Sequence, residues 1–434
     1  MRVALVNSPV HRPSPHARLS PPLGLAYLAA TLAQDGHDVA AVDFNVSGLN
    51  LRRVDRLVEV DKPVIVGISA YTETYPNALA IARRVKELSP DTVTILGGPH
   101  PTLLPAEALA EDCVDGVVIG EGEVTMSELA RRVAEGSRDF RGIKGLAFKD
   151  SGTVRLNEPR ELLDPDTLPY PARDLLPLEL YANPWTVLTS RGACPFRCPF
   201  CAAFSLWNGK RRARQAAKVV AEVQMLMEKY GATYIFFSDD LFTLDRRWVR
   251  ELLSRLQALP ELPAWGCSTR ADLVDEPLLA ELARAGCQAI QFGVESGAQN
   301  ILDSVKGIRK DQVLRAVQAA VQNGIEVAAS FMIPFPEDTE ETIRETKDFM
   351  RLLRGLGARI LLSFTTPYPG TLFAHQAAEL GLEILTDRWE EFDAKHNLLR
   401  TKYLTEDGIE RLVQEVARDV GLVQSSGSTL ESAG

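Results

Sequence analysis

The chain has 434 residues, 48 of them basic and 58 acidic, for a formal net charge of −10. That surplus of negative charge excludes binding driven by phosphate neutralisation, so no nucleic-acid partner is expected. No apolar run approaches the roughly 18 residues that cross a bilayer, so no membrane span is expected, and the length allows two or three domains.

The N-terminus MRVALVNSPV has one basic residue and no small-residue cleavage site, so it reads as a first strand rather than a leader. Residues 1–130 then alternate short apolar runs with helical patterns, the signature of a doubly wound, Rossmann-like α/β sheet. Strands are predicted at VALVNS (3–8), DVAAVD (38–43), VIVGIS (64–69), TVTILGG (92–98) and GVVIGE (116–121). Between them LGLAYLAATLAQDG (23–36) and NALAIARRVKELSP (77–90) place apolar residues at helical spacing and end in Gly or Pro stop signals.

Ligands of such sheets bind beyond the carboxyl ends of the strands. Those ends carry Ser8 and Pro9, then Ser69, Tyr71 and Thr72, then Gly97, Gly98 and His100, then Gly120, Glu121, Gly122 and Glu123. Glycines there admit a ligand close to backbone N–H groups, and the hydroxyls can bond a polar tail. Taken alone, each such Gly-rich turn after a strand is more often a simple connector.

From 131 to 184 the pattern weakens. The stretch DPDTLPYPARDLLPLELYANP (164–184) is dense in Pro and Asp and is read as an extended linker.

The second half, 185–371, repeats strand then helix about six times, which predicts an open, partial (β/α)6 barrel. Strands are placed at TVLTS (186–190), TYIFFSD (233–239), AWGCSTR (264–270), QAIQFGV (288–294), EVAASFMI (326–333) and ILLSFTT (360–366). AAKVVAEVQMLMEKYG (216–231) and EPLLAELARAGC (276–287) read as amphipathic helices between them. Their carboxyl ends, where barrel active sites gather, hold Ser238, Asp239 and Asp240, then Ser268, Arg270 and Asp272, then Glu295 and Ser296, then Pro334 and Pro336, then a Thr-Pro-Tyr-Pro-Gly turn with Tyr368. Tyr368 is a candidate substrate contact or a pocket wall. The basic runs at 210–214 and 306–310 read as solvated faces.

Residues 372–434 open with helical patterns at LFAHQAAELG (372–381) and EDGIERLVQEVARDVG (406–421). SSGSTLESAG (425–434) then reads as a disordered tail.

The first predicted barrel strand leads into RGACPFRCPFC, which packs Cys194, Cys198 and Cys201 into eight residues. The other cysteines, Cys113, Cys267 and Cys287, are dispersed, which suits a reducing, cytoplasmic setting. A structural zinc site closes with four protein ligands, and neither a histidine nor a fourth cysteine lies within the loop. A four-iron cluster takes one thiolate per iron, so three thiolates leave one iron open to a small molecule.

This spacing, with Phe200 just before the last thiol, resembles the cluster loop of the radical S-adenosylmethionine (SAM) enzymes. The ordered set PPLGLAYLAA, GHDV, IVGIS, LGGPHPT and GEGE resembles the cobalamin-binding domain that precedes the barrel in one large class of that family. FSDDLFT, STRADL, FGVESG, FMIPFPEDTEET and PYPGT resemble the class's strand-end motifs. The resemblance implies three cofactors: a 4Fe-4S cluster on Cys194, Cys198 and Cys201, SAM on its open iron, and cobalamin.

It also implies SAM contacts among Phe200, Ser238, Asp239, Asp240, Ser268, Arg270, Glu295 and Ser296, with the strand-end residues of the first domain facing cobalamin. Two departures bear on these contacts: Ser238-Asp239-Asp240 stands where many radical SAM enzymes have Gly-Gly-Glu, and Ser330 and Pro334 replace common glycines. The Asp-x-His-x-x-Gly motif that supplies a cobalt-ligating histidine is absent, and His11, His16 and His37 have no such context.

The activity the resemblance implies is methylation of an unactivated carbon of a small-molecule substrate, either a natural product or a lipid. One SAM gives a 5′-deoxyadenosyl radical, methylcobalamin gives the methyl group, and a second SAM restores it. An external electron donor such as flavodoxin or ferredoxin would reduce the cluster. Ring contraction, cyclisation or rearrangement with the same cofactors is the alternative, and a non-catalytic cobalamin or redox sensor is an alternative of another class. A methylthiotransferase would carry three further clustered cysteines in its N-terminal domain, where only Cys113 occurs.

Overall fold

In a computed structural model, residues 1–11, 20–192, 194–424 and 430–432 are described. They form two compact units, Met1–Pro184 with Arg388–Glu390, and Trp185–Asp387 with the chain from Glu391 onward.

The first unit is built on a seven-stranded sheet. Its strands are β1 (Arg2–Asn7), β2 (Asp38–Asp43), β3 (Ile65–Ser69), β4 (Val93–Gly97), β5 (Gly116–Val118), β6 (Leu146–Asp150) and β7 (Thr153–Leu156), in the order β2-β1-β3-β4-β5-β6-β7. The first five are parallel, and their 2-1-3-4-5 order is that of a doubly wound sheet, which reverses direction between β1 and β3. Alternation along β1 shows both faces covered. Ala4 and Val6 pack on the side of helices Leu51–Glu59 and Tyr75–Leu88, while Val3 and Leu5 pack on the side of Leu23–Gln34 and Glu123–Ala134.

Within the predicted linker, β6 and β7 form an antiparallel hairpin that extends this sheet from β5. Its two-residue turn is Ser151-Gly152, both at positive φ (51° and 82°), the geometry that matches strand twist. Strands of five and four residues, one of them with a largely exposed face, carry too little apolar alternation to stand out in the sequence.

The second unit holds β8 (Thr186–Val187), β9 (Ser190–Arg191), β10 (Arg212–Ala213), β11 (Tyr234–Phe237), β12 (Ala264–Thr269), β13 (Cys287–Glu295), β14 (Glu326–Ile333), β15 (Arg359–Phe364), β16 (Leu382–Ile384), β17 (Leu399–Thr401), β18 (Leu422–Gln424) and β19 (Leu430–Ser432). Its main sheet runs β18-β19-β15-β14-β13-β12-β11-β8. Strands β8 and β11 to β15 are parallel neighbours in chain order, each followed by helix, which is the open (β/α)6 barrel. The apolar core runs from Val187 through Phe237, Trp265, Phe292, Phe331 and Leu362 to the outer helices.

Two C-terminal expectations change. Leu430–Ser432, inside the expected disordered tail, pairs with both β15 and β18 and so covers the barrel's edge strand; residues 425–429 and 433–434 lie outside the described residues. The helix expected over 372–381 is a single capped turn, Leu372–His375, because the chain beyond it turns to pair β16 with β17.

Candidate active site

The cluster loop leaves β8 and β9 and returns through β10, which pairs with β9. Cys194, Cys198 and Cys201 are half-buried free thiols on it, with Cys201 N–H donating to the Cys198 carbonyl at 3.1 Å. Burial pushes all three thiols up, Cys201 to about 11, and Cys194 and Cys198 add to that rise at Cys201 because the three sit near one another. At Cys198, Lys306 and Arg270 oppose the rise. Metal binding must therefore displace protons, and nearby cations favour the thiolates that result. Among the described residues no three Cys, His, Asp or Glu side chains converge on one metal ion. A four-iron cluster does not require such convergence, since each thiolate ligates a different iron. The donor set fits that group.

Aromatic anchors hold the loop. Phe200 packs edge-on to Phe335 at 5.8 Å and against Phe373 at 6.5 Å, within a small core that includes Ile301 and Leu399. Phe373 N–H donates to the Pro199 carbonyl at 3.2 Å. Asp239, at the end of β11, accepts from the amides of Thr189 at 2.9 Å and Ser190 at 2.7 Å, and from Ser190 Oγ. This carboxylate therefore ties β11 to the root of the cluster loop. Ser238 and Asp240 beside it are exposed, and Ser268 is half-buried.

The remaining predicted SAM contacts also have protein partners. Ser296 Oγ lies 3.1 Å from Thr346 Oγ1 and accepts from Ala298 N–H. Glu295 adopts a left-handed backbone, φ 75°, and its Oε1 lies 2.7 Å from Lys306 Nζ. Arg270 is enclosed by Asp272, Phe196, Cys198 and the Lys306 carbonyl. Tyr368 is half-buried on the turn after β15, where its backbone closes a cap with Thr371.

The solvated reading of the two basic runs holds at the exposed Lys210 and Arg309 and is corrected by burial at Lys306 and Arg214. Lys306 is 6% exposed and paired with Glu295. Arg214 and Glu222, 7% and 0% exposed, form a 2.6 Å ion pair, and Arg214 also donates to the Leu188 carbonyl at the start of the loop. Glu222 and Glu295 lie 8 and 11 residues from these partners, so no i, i+4 spacing signals either pair in the sequence.

In the first unit the predicted residues gather at the carboxyl ends of β1, β3, β4 and β5. Ser8 Oγ bonds the Ser69 carbonyl at 2.7 Å and Thr74 Oγ1 at 2.8 Å, and Pro9 follows it. Tyr71 is exposed, while Thr72 Oγ1 lies 3.3 Å from His100 Nδ1. Gly97 leads to Gly98 at φ 94°, where a Cβ would come 2.7 Å from the Ala70 carbonyl, so only glycine fits that turn. Gly120, φ 76°, faces open space and donates to Thr102 Oγ1. Glu121 accepts from Leu163 N–H, and Gly122 and Glu123 begin the helix that follows.

His100 is fully buried between Tyr75, at 4.2 Å, and Trp389, at 5.0 Å, and its Nε2 has no hydrogen-bond partner. An open glycine edge with an unsatisfied buried donor or acceptor beside it fits a large polar ligand such as cobalamin. His37 lies before β2, at the opposite edge from these loops, and His11 is exposed; His16 lies outside the described residues.

Comparison with known proteins agrees with this geometry. The B12 binding domain family matches residues 17–130, and the radical SAM superfamily matches residues 189–350. An uncharacterized methyltransferase of Pyrococcus horikoshii is 34% identical over 91% of this chain and 86% of its own length. The anaerobic magnesium-protoporphyrin IX monomethyl ester cyclase of Rubrivivax gelatinosus is 31% identical over 90% of this chain and 71% of its own. The radical SAM methyltransferase TsrM from Kitasatospora setae, solved with cobalamin and a 4Fe-4S cluster, superposes with a TM-score of 0.76 at 20% identity, over 96% of this chain and 88% of that one, which shows a shared fold. The chain belongs to the radical SAM superfamily, among its members with a B12 binding domain. It is a radical SAM enzyme whose cofactors are a 4Fe-4S cluster, SAM and cobalamin. No described helix is long and apolar enough to cross a membrane.

Proposed function

We propose that this enzyme methylates an unactivated carbon of a small molecule, a natural product or a lipid, with an external flavodoxin or ferredoxin as electron donor. When bound, the cluster with SAM supplies a 5′-deoxyadenosyl radical and the cobalamin supplies a methyl group. The observation that carries the reading is the loop of three half-buried thiols in one unit, in a chain whose other unit presents a glycine-lined strand edge. The 34% identical relative, itself named a methyltransferase, supports methyl transfer as the outcome.

In this reading the side chains bind and position and need not act as general acid or base. Cys194, Cys198 and Cys201 hold the iron; Asp239 and Phe200 fix the loop that presents them. Ser238, Asp240 and Ser268 are the strand-end polar groups left to meet SAM. The first unit's strand ends, from Ser8 to Glu123, bind cobalamin, with His100 facing its polar periphery rather than the metal.

A second reading, ring closure with the same cofactors, is favoured by the 31% identity to the Rubrivivax cyclase. Product counting separates them. Anaerobically reconstituted enzyme turning over substrate is expected to release S-adenosylhomocysteine alongside 5′-deoxyadenosine; release of 5′-deoxyadenosine alone overturns methyl transfer.

A further inference from the structure

We propose that Arg270 is a positioning residue for the cluster rather than a SAM ligand: it clamps the loop through Phe196 and raises the cluster's reduction potential through an N–H bond to the Cys198 sulfur. The inference rests on the assignment of the cluster to Cys194, Cys198 and Cys201.

The geometry leaves Arg270 little to offer a ligand. Its Nε and Nη2 donate to the two oxygens of Asp272 at 2.9 and 3.0 Å, and Nη2 also donates to the Lys306 carbonyl at 3.0 Å. Its guanidinium lies 3.8 Å from the centroid of the Phe196 ring, which sits midway between Cys194 and Cys198 in the loop. The remaining nitrogen, Nη1, donates to Cys198 Sγ at 3.8 Å. Only 5% of the side chain is exposed. A planar fork that grips a carboxylate, stacks on a ring and still aims one N–H elsewhere is a task for arginine, and lysine has no equivalent geometry.

Reduction adds an electron to the cluster, so a donor on a ligating sulfur and a cation beside it stabilise the reduced form. Lys306 brings a second buried cation to the same place, since its carbonyl receives Arg270 and its charge acts on Cys198. Asp272 and Glu295 offset the net charge of the two cations. The cationic side-chain donor is then what distinguishes Cys198 from Cys194 and Cys201, whose sulfurs bond the backbone of Phe196 and Ala203.

The test compares full-length wild type, Arg270→Gln and Arg270→Lys, each reconstituted anaerobically with iron and sulfide. Bound iron is counted, and the cluster is titrated electrochemically by electron paramagnetic resonance. Arg270→Gln leaves Asp272 uncompensated, and the expected result is a lower potential, with at least a tenfold fall in the reduced-to-oxidised ratio at a fixed potential, equivalent to about 59 mV for one electron. Arg270→Lys keeps the charge and a donor and is expected to stay nearer the wild type in potential while losing as much thermal stability as Arg270→Gln.

Loaded Arg270→Gln with an unchanged potential overturns the proposal. So does a potential that falls equally in both variants. Where both variants fold and bind cobalamin yet take up no iron, the clamp is supported; iron uptake and thermal stability equal to the wild type in Arg270→Gln overturn it. A wild-type chain that binds no iron-sulfur cluster instead removes the assignment on which the proposal rests.

Discussion

His100 has exchanged water for two aromatic rings, and burial pushes its imidazole down to about 4. The folded state therefore binds fewer protons than the unfolded chain between about pH 6.5 and 4. Stability tied to this residue is full above the unfolded value and is lost as the pH falls through that window. Relative to pH 7.5, the first unit should lose about 2 kcal/mol at pH 5 on this account. His100→Phe keeps a ring in place and should abolish that loss, as read by hydrogen exchange of β3 and β4 amides corrected for intrinsic rates. The sequence offered His100 only as a polar residue after a Gly-Gly turn. Its burial depends on Trp389, which lies 289 positions along the chain and has no local signature.

At the scale of elements, the Arg214–Glu222 pair joins three pieces that local sequence treats separately: the end of β8, the return strand β10 and the helix Ala216–Tyr230. Arg214 reaches the Leu188 carbonyl and Glu222, and its own carbonyl accepts the indole N–H of Trp248 at 2.7 Å. Removing one partner leaves an uncompensated buried charge, a loss of about 3–5 kcal/mol. Glu222→Gln should therefore destabilise the second unit by an amount in that range. The double variant Arg214→Met with Glu222→Leu should recover most of it, since two apolar groups of similar size desolvate no charge. Urea unfolding of the two variants and the wild type measures the loss and its recovery. Periodicity revealed the helix here because Val219, Val223 and Leu226 mark its buried face, but the basic run before it read as solvated. The β6–β7 hairpin stayed hidden for the converse reason: exposed Thr153, Arg155 and Leu156 dilute its alternation.

For the molecule as a whole, each unit has a core of its own. The first is built on Val66, Ile68 and Leu96 with Val3, Leu5 and Ile95, and the second on Phe237, Trp265, Phe292 and Phe331. Cofactor loading should follow that division. Cys201→Ala is expected to lose cluster iron while binding cobalamin with wild-type stoichiometry, checked by iron assay and by the absorbance of the bound corrin. Simultaneous loss of both would mean that the cobalamin site depends on the cluster loop.

The sequence by itself determined the two α/β folds and the metal chemistry. Strand and helix periods are local properties, and three thiols within eight residues share one loop whatever surrounds them. Only the tertiary structure decided which charged side chains are engaged. Asp239, Arg270 and Glu295 look alike in sequence as polar residues near strand ends, and Lys306 reads as part of a basic run, yet each meets a partner brought from another segment. The physical reason is that burial and pairing of a charge depend on contacts between distant segments, which only the packed strands and loops create.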